Sequence, residues 1–220
     1  MMLRRFILIN IFITIHILFI VESKMKTLKE KMVLSFTKDL YIKNIIILKH
    51  PKIVHDLKII SFSKRLSKLN IYTSFLPTKE IELKMNDHGN SNEIFLKSLI
   101  VTFEEKFNNN IYKIITENEK SSYKFLWLTW KSKNIKMIKN TIYVPYNCQL
   151  FIAEDDVIKN DKIFMISEKY HAQKFRSFMF ERRIGVWSEY KGLDITEKDL
   201  YKRRLDMNGT ELRILNNKVE

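Results

Sequence analysis

The run Ile45-Ile46-Ile47-Leu48 is the feature that most restricts the fold of this chain. A strand with one face in water alternates apolar and polar residues, whereas a continuous apolar run indicates a strand that is buried on both faces. Strands of that kind occur in parallel sheets, where helices cover the two faces. The run therefore predicts an α/β fold with a mostly parallel sheet.

Helical periodicity on both sides of this strand supports the α/β prediction. Upstream, apolar residues recur every four positions within Lys24–Lys43, which predicts an amphipathic helix. Downstream, Pro51 suits the first turn of a helix, and helical spacing continues to about Leu69. A second short strand at Ile71–Phe75 completes a β–α–β unit, for which a right-handed crossover in a parallel sheet is expected.

The remainder of the chain predicts further elements in a less regular order. Apolar runs predict strands at Ile94–Phe103, Tyr123–Trp130, Thr141–Val144 and Leu150–Ala153, and a strand-and-hairpin pair at Lys162–Tyr170 and Phe175–Phe180. The polar segment Leu76–Asn92 predicts a loop, with a short strand at Ile81–Met85 as the alternative. Glu104–Glu119 is helix-like, with Asn108-Asn109-Asn110 as an interruption. Trp127 and Trp130 are three residues apart, so on a strand they lie on opposite faces.

The first residues are typical of a secretory signal peptide. Arg4 and Arg5 precede an apolar stretch, Phe6–Val21, and Val21 and Ser23 suit a cleavage site before Lys24. The alternative is an uncleaved membrane anchor, but the stretch is shorter than the ~20 residues that span a bilayer. We expect residues 1–23 to be removed and the chain to enter the secretory pathway.

The net charge of +14 raises the question of a nucleic-acid partner, which the composition does not favour. Only nine of the 39 basic residues are Arg, the residue expected for bidentate contacts to phosphate. We expect a lysine-rich solvated surface and no nucleic-acid partner. Hydrophobic residues make up 45% of the chain, enough for a folded core.

No group of residues predicts a catalytic, cofactor-binding or metal-binding site, and we expect no cofactor. Cys148 is the only cysteine and lies in an apolar run, which predicts a buried, unreactive thiol. His50 and His55 are five residues apart, which is not the spacing of a helical metal pair, and His171 has no recognisable partner. Glu154-Asp155-Asp156 could hold a divalent cation at the end of a strand, but a solvated strand-ending loop is the preferred interpretation.

The segment Arg182–Leu215 carries the most distinctive residue spacing. It contains three of the four glycines and ends with a turn signal, Asp206-Met207-Asn208-Gly209, before an alternating run that predicts a new strand. A strand without a partner leaves its backbone groups unsatisfied. It either pairs back onto the preceding domain or, as we expect, begins a following domain in a longer protein. Asn208-Gly209-Thr210 is an N-x-[ST] sequon, which makes Asn208 a glycosylation candidate in an exported chain.

The pattern in this segment resembles the interdomain junction of the insect variant ionotropic receptors, of the seventy-five-a type, which are chemosensory relatives of ionotropic glutamate receptors. The matching residues are Gly185, Trp187, Gly192, Tyr201, Arg203, Arg204 and Gly209, with Leu193, Leu212 and Arg213. Tyr123–Leu128 and Leu150–Val157 resemble the same family more weakly. The resemblance implies a reduced periplasmic-binding-protein-like fold.

The resemblance further implies a domain organisation and a function. Residues 24–200 would be the extracellular N-terminal domain, and residues 201–220 a linker with the first strand of a truncated ligand-binding domain. The whole protein would be an odorant-gated cation channel at the plasma membrane, not an enzyme. It would assemble with co-receptor subunits of its family and attach to the membrane through a part beyond Glu220. The alternative is a secreted basic protein or a hydrolase without a recognisable active site.

Overall fold

The computed structural model describes residues 27–48, 57–77, 79–81, 98–103, 108–131, 143–158, 161–171 and 179–197, with Lys202 and Arg204. The helices are α1 (27–39), α2 (Leu57–Ser67), a helical turn α3 (79–81), α4 (Asn108–Glu117) and α5 (Glu119–Ser122). The strands are β1 (Asn44–Leu48), β2 (Tyr72–Leu76), β3 (Ser98–Thr102), β4 (Phe125–Trp130), β5 (Gln149–Ile158), β6 (Asp161–Tyr170), β7 (Phe180–Ser188) and β8 (Gly192–Ile195).

All eight strands belong to one sheet, in the order β2-β1-β3-β4-β5-β6-β7-β8. The first five strands pair in parallel, while β6, β7 and β8 are added as antiparallel neighbours. The order 2-1-3-4-5 is one of the two common arrangements of doubly wound α/β sheets. The predicted α/β class with a mostly parallel sheet is confirmed.

The sheet is covered on both faces, as the apolar run in β1 requires. Ile45 and Ile47 pack with α1 and α2 on what we call the first face, whereas Leu48 packs on the opposite, second face with α4. Trp130 lies on the first face and Trp127 on the second, which confirms their predicted separation. Both tryptophans are buried, so each belongs to one of two core layers.

Several elements differ from their predictions. Asn108-Asn109-Asn110 does not interrupt a helix but forms the start of α4, where asparagine is less unfavourable than in a helix interior. Ile81 is helical and buried, not part of a strand. Residues 143 and 144 of the predicted strand Thr141–Val144 have no regular structure. Their backbone N–H groups bond to the Thr116 hydroxyl and to the His171 ring instead.

Candidate functional site

The β7–β8 hairpin contains three of the distinctive residues of the segment Arg182–Leu215, namely Gly185, Trp187 and Gly192. At Gly185 the two strands approach each other closely. A Cβ atom placed on Gly185 would lie 2.2 Å from the carbonyl oxygen of Asp194 on β8. The same residue pairs with Ile166 on β6, beside a shift in register between Ile166 and Ser167. Any larger side chain at this position would therefore force β7 and β8 apart.

Gly192 begins β8 immediately after the hairpin turn. Its φ is +76°, in the region that favours glycine, and no atom lies within 4 Å of an added Cβ. The turn is also held by the Lys191 backbone N–H, which donates to the Ser188 hydroxyl at 3.1 Å. Gly185 is thus required by close approach, and Gly192 by backbone conformation.

Trp187 links the hairpin to the helix that begins the described part of the chain. Its side chain is buried on the first face, with its ring centroid 5.6 Å from that of Phe164 on β6. Its indole N–H donates to the hydroxyl of Ser35 on α1 at 2.9 Å. An ion pair between Lys31 and Glu189 joins α1 to the hairpin turn. The hairpin is therefore an integral part of this domain.

Arg204 lies fully buried beside the carboxyl end of β6, far from Trp187 in sequence. Its guanidinium donates to the carbonyl oxygens of Tyr146 and Cys148, the latter at 3.0 Å. It also pairs with the Glu168 carboxylate at 3.1 Å, and both side chains are 0% exposed. The backbone carbonyl of Arg204 accepts a hydrogen bond from the Tyr146 hydroxyl at 3.0 Å. Tyr146 and Arg204 therefore each donate a hydrogen bond to the other's backbone carbonyl.

Two aromatic rings complete the surroundings of the Arg204 guanidinium. The central carbon of the group lies 4.0 Å from the ring centroid of Tyr170 and 5.5 Å from that of Tyr146. Tyr170 stacks on Phe180 of β7, with ring centroids 5.4 Å apart and planes inclined by 11°. Burial raises the pKa of the Tyr170 hydroxyl, and the positive charge of Arg204 opposes that shift.

The sequence placed Arg204 in a linker with Tyr201, Arg203 and Gly209, but its side chain is buried among residues of β6 and the turn before β5. Tyr201, Arg203, Asn208 and Gly209 lie outside the described residues, as do residues 1–23, His50 and His55. Their predicted roles stay predictions. Nothing in the sequence singles out Glu168, Tyr146 or Tyr170. Glu168 is 36 positions from Arg204 and Tyr146 is 58, and no local pattern shows that residues so distant in sequence are in contact.

The acidic triplet lies in a strand, not in a strand-ending loop as predicted. Glu154, Asp155 and Asp156 continue β5 opposite β6, and successive side chains point to opposite faces. Glu154 pairs with Lys131 at 2.7 Å. The triplet borders a cavity of about 380 Å³ that is also lined by Met165, Ser167, Glu181 and Arg183. Within the described residues, no group of three His, Cys, Asp or Glu side chains could hold a metal ion.

Cys148 and His171 are both buried, in surroundings typical of structural residues. Cys148 is 0% exposed, and burial raises the pKa of its thiol to about 12, which confirms the predicted buried thiol. The His171 ring accepts a hydrogen bond from the Val144 backbone N–H at 3.1 Å, and desolvation lowers the pKa of the imidazole. At neutral pH, Cys148 is therefore not a thiolate nucleophile.

Comparison with known proteins adds no relative from which a role could be transferred. A scan against models of known protein families finds no match, and no curated protein matches the sequence. Among the residues that the structure describes, no helix has the length and apolar character needed to cross a membrane.

Proposed function

We propose that this chain is the extracellular N-terminal domain of a chemosensory ligand-gated cation channel of the ionotropic receptor family, with a reduced periplasmic-binding-protein-like fold. In this proposal the domain contributes to receptor assembly with co-receptor subunits and to odorant detection. The agonist site, the pore and the membrane attachment belong to a part of the receptor beyond Glu220. The chain itself performs no catalysis.

One observation carries the proposal: four described residues of the family pattern occupy positions where the fold needs that residue type. Gly185 permits the close approach of β8, Gly192 adopts a positive φ, and Trp187 fills the core. Arg204 satisfies a buried carboxylate. Glycine and tryptophan are scarce in the chain, with four and three residues, so composition alone does not account for their placement in this pattern.

The architecture is compatible with the proposed domain type. Five parallel strands in the order 2-1-3-4-5, with helices against both faces, form a doubly wound arrangement, a type of fold that binds ligands at the carboxyl ends of its strands. The antiparallel strands β6 to β8 extend one edge of that arrangement. Arg204 then fixes the end of the domain at the point where the proposed linker leads to the ligand-binding domain.

The transcript provides the test of this proposal. Long reads that cross codon 220 should continue in frame into a second α/β domain and membrane-spanning segments. The reads must come from full-length, capped transcripts, so that truncated copies are not counted. A stop codon directly after codon 220 in all such transcripts would contradict the proposal and leave the alternative of a secreted basic protein.

A further inference from the structure

We propose that Glu168, Tyr146, Tyr170 and the carbonyl of Cys148 form a preformed binding site for one guanidinium group, which Arg204 occupies from within the same chain. We call these four residues the guanidinium socket. The socket fastens residue 204 to the sheet by insertion of one side chain. The socket is built from contacts within the described residues and does not depend on whether the chain is part of a receptor.

The walls of the socket are held in place by contacts that do not involve Arg204. Tyr170 stacks on Phe180, and its ring meets that of Tyr146 edge to face with centroids 5.6 Å apart. The Cys148 backbone N–H donates to the Pro145 carbonyl at 3.0 Å, which closes the turn that presents the Cys148 carbonyl. Glu168 lies within β6, in register with Phe151 and Arg182 on the neighbouring strands. The site therefore has its shape before the guanidinium arrives.

The chemistry of the socket matches a planar, delocalised cation better than an ammonium ion. Two guanidinium nitrogens donate hydrogen bonds to three oxygens, two of which are backbone carbonyl oxygens and one a carboxylate oxygen. The Tyr170 ring lies 4.0 Å from the guanidinium carbon, a distance suited to stacking and to a cation–π contact. A guanidinium has a rigid fork of five donors, whereas an ammonium is a compact point charge. The class of ligand is thus guanidinium compounds, with arginine side chains as the natural example.

An empty socket would leave a carboxylate buried without its cation. Removing one partner of a buried ion pair is strongly destabilising, because the remaining charge has lost both its water and its counter-ion. Part of the lost stability should return if a small guanidinium ion from solution binds where the Arg204 side chain was. Chemical rescue of an Arg204 variant is therefore the measurement that distinguishes a true binding site from a contact that merely fills space.

The experiment compares the melting temperature of the full chain with that of Arg204→Ala, in the absence and presence of guanidinium chloride at about 10 mM, where its denaturing action is small. We expect the substitution to lower the melting temperature by roughly 10 °C. Guanidinium should restore part of this loss, whereas sodium chloride and methylammonium chloride at equal ionic strength should not. Equal rescue by all three salts would overturn the proposal.

Two further variants and one control variant make the test decisive. In the double variant Arg204→Ala, Glu168→Gln the carboxylate charge is gone, so guanidinium should give no rescue, and rescue that persists would overturn the proposal. Arg204→Lys keeps the charge but loses the fork, so its melting temperature should lie clearly below that of the unmodified chain. A lysine variant as stable as the original would show that the site is not specific for guanidinium. Lys202→Ala, at an exposed neighbour, should respond to none of the salts.

If Arg204→Ala does not fold by itself, refolding yield replaces the melting temperature as the readout. Guanidinium at the same concentration should then increase the yield of folded protein, and sodium chloride should not. Failure of both salts to restore folding would count against the proposal. Because no receptor activity is measured, the outcome is independent of the transcript test of the proposed function.

Discussion

At the scale of single residues, all three tryptophans donate their indole N–H groups to acceptors inside the protein. The acceptors are the carbonyl oxygens of Ser122 and Thr102, for Trp127 and Trp130, and the Ser35 hydroxyl for Trp187. A buried donor without an acceptor costs free energy, so each indole restrains the orientation of its ring as well as filling space. The sequence predicted that Trp127 and Trp130 lie on opposite faces, but not these acceptors, which lie on other elements.

Replacing Trp187 with Ala should lower the free energy of unfolding by about 3 kcal/mol or more, as for other truncations of large core residues. The variant loses contact with Phe164 and leaves the Ser35 hydroxyl without the indole donor. Urea unfolding followed by circular dichroism measures the change. Tyr190→Ala is the matched control, since Tyr190 lies in the same hairpin and is 84% exposed. Equal effects of the two substitutions would contradict the assigned core position.

Stability should fall as the pH rises from 9.0 towards about 12. Burial raises the pKa of the Cys148 thiol from 9.0 to about 12, and that of the Tyr112 hydroxyl from 10.0 to about 12. Below pH 9 both groups are neutral in both states, whereas at higher pH only the unfolded chain releases the protons, which favours unfolding. The loss is about 1.4 kcal/mol per pH unit for each group. Cys148→Ala should show a shallower decline in unfolding free energy over this range, and an unchanged slope would refute the assignment.

At the scale of elements, local pattern predicted strands in both halves of the sheet, and β6 in the antiparallel half was predicted to within one residue. β1, β2 and β4 also lie within one or two residues of their predicted positions. The largely buried strands β1 and β4 are mostly apolar runs, which local pattern detects readily, whereas β2 is a partly exposed edge strand. β7 and β8 were not predicted, since Phe180–Ser188 mixes charged and apolar residues. The buried contacts of Arg204 could not be predicted, because they join segments that are distant in sequence.

The two glycines of the β7–β8 hairpin should respond differently to the same substitution. Gly185→Ala would place a methyl group 2.2 Å from the Asp194 carbonyl oxygen, so the hairpin must separate. Gly192→Ala meets no atom within 4 Å and costs only the strain of a positive φ, about 1–2 kcal/mol. Thermal unfolding of the two variants should show the larger loss for Gly185→Ala. The reverse order would contradict the close approach of β7 and β8.

At the scale of the whole molecule, the charge of +14 lies on a chain whose basic residues are mostly Lys. Several described lysines already pair with acidic side chains, including Lys31 with Glu189 and Lys169 with Glu181. Such pairs neutralise the charge of these lysines locally, but the net charge of +14 already includes their acidic partners. The charge alone thus gives no indication of a specific partner.

Binding of the chain to a nucleic acid should be weak, independent of sequence and sensitive to salt. Attraction that comes only from counter-ion release declines steeply as salt is raised to about 200 mM. Fluorescence anisotropy with duplexes of unrelated sequence, at a low and at this higher salt concentration, measures both properties. A sequence-selective complex that survives the higher salt would show that a nucleic-acid site has been overlooked.

Assembly with other subunits tests the proposed receptor function most directly. The full chain, tagged and co-expressed in insect cells with candidate co-receptor subunits of the ionotropic receptor family, should be exported and should co-purify with at least one of them. An unrelated basic secreted protein serves as the control for charge, and the wash contains enough salt to remove electrostatic association. We expect a subunit complex that survives this wash. Recovery of the exported chain alone, with every candidate subunit present and folded, would contradict it.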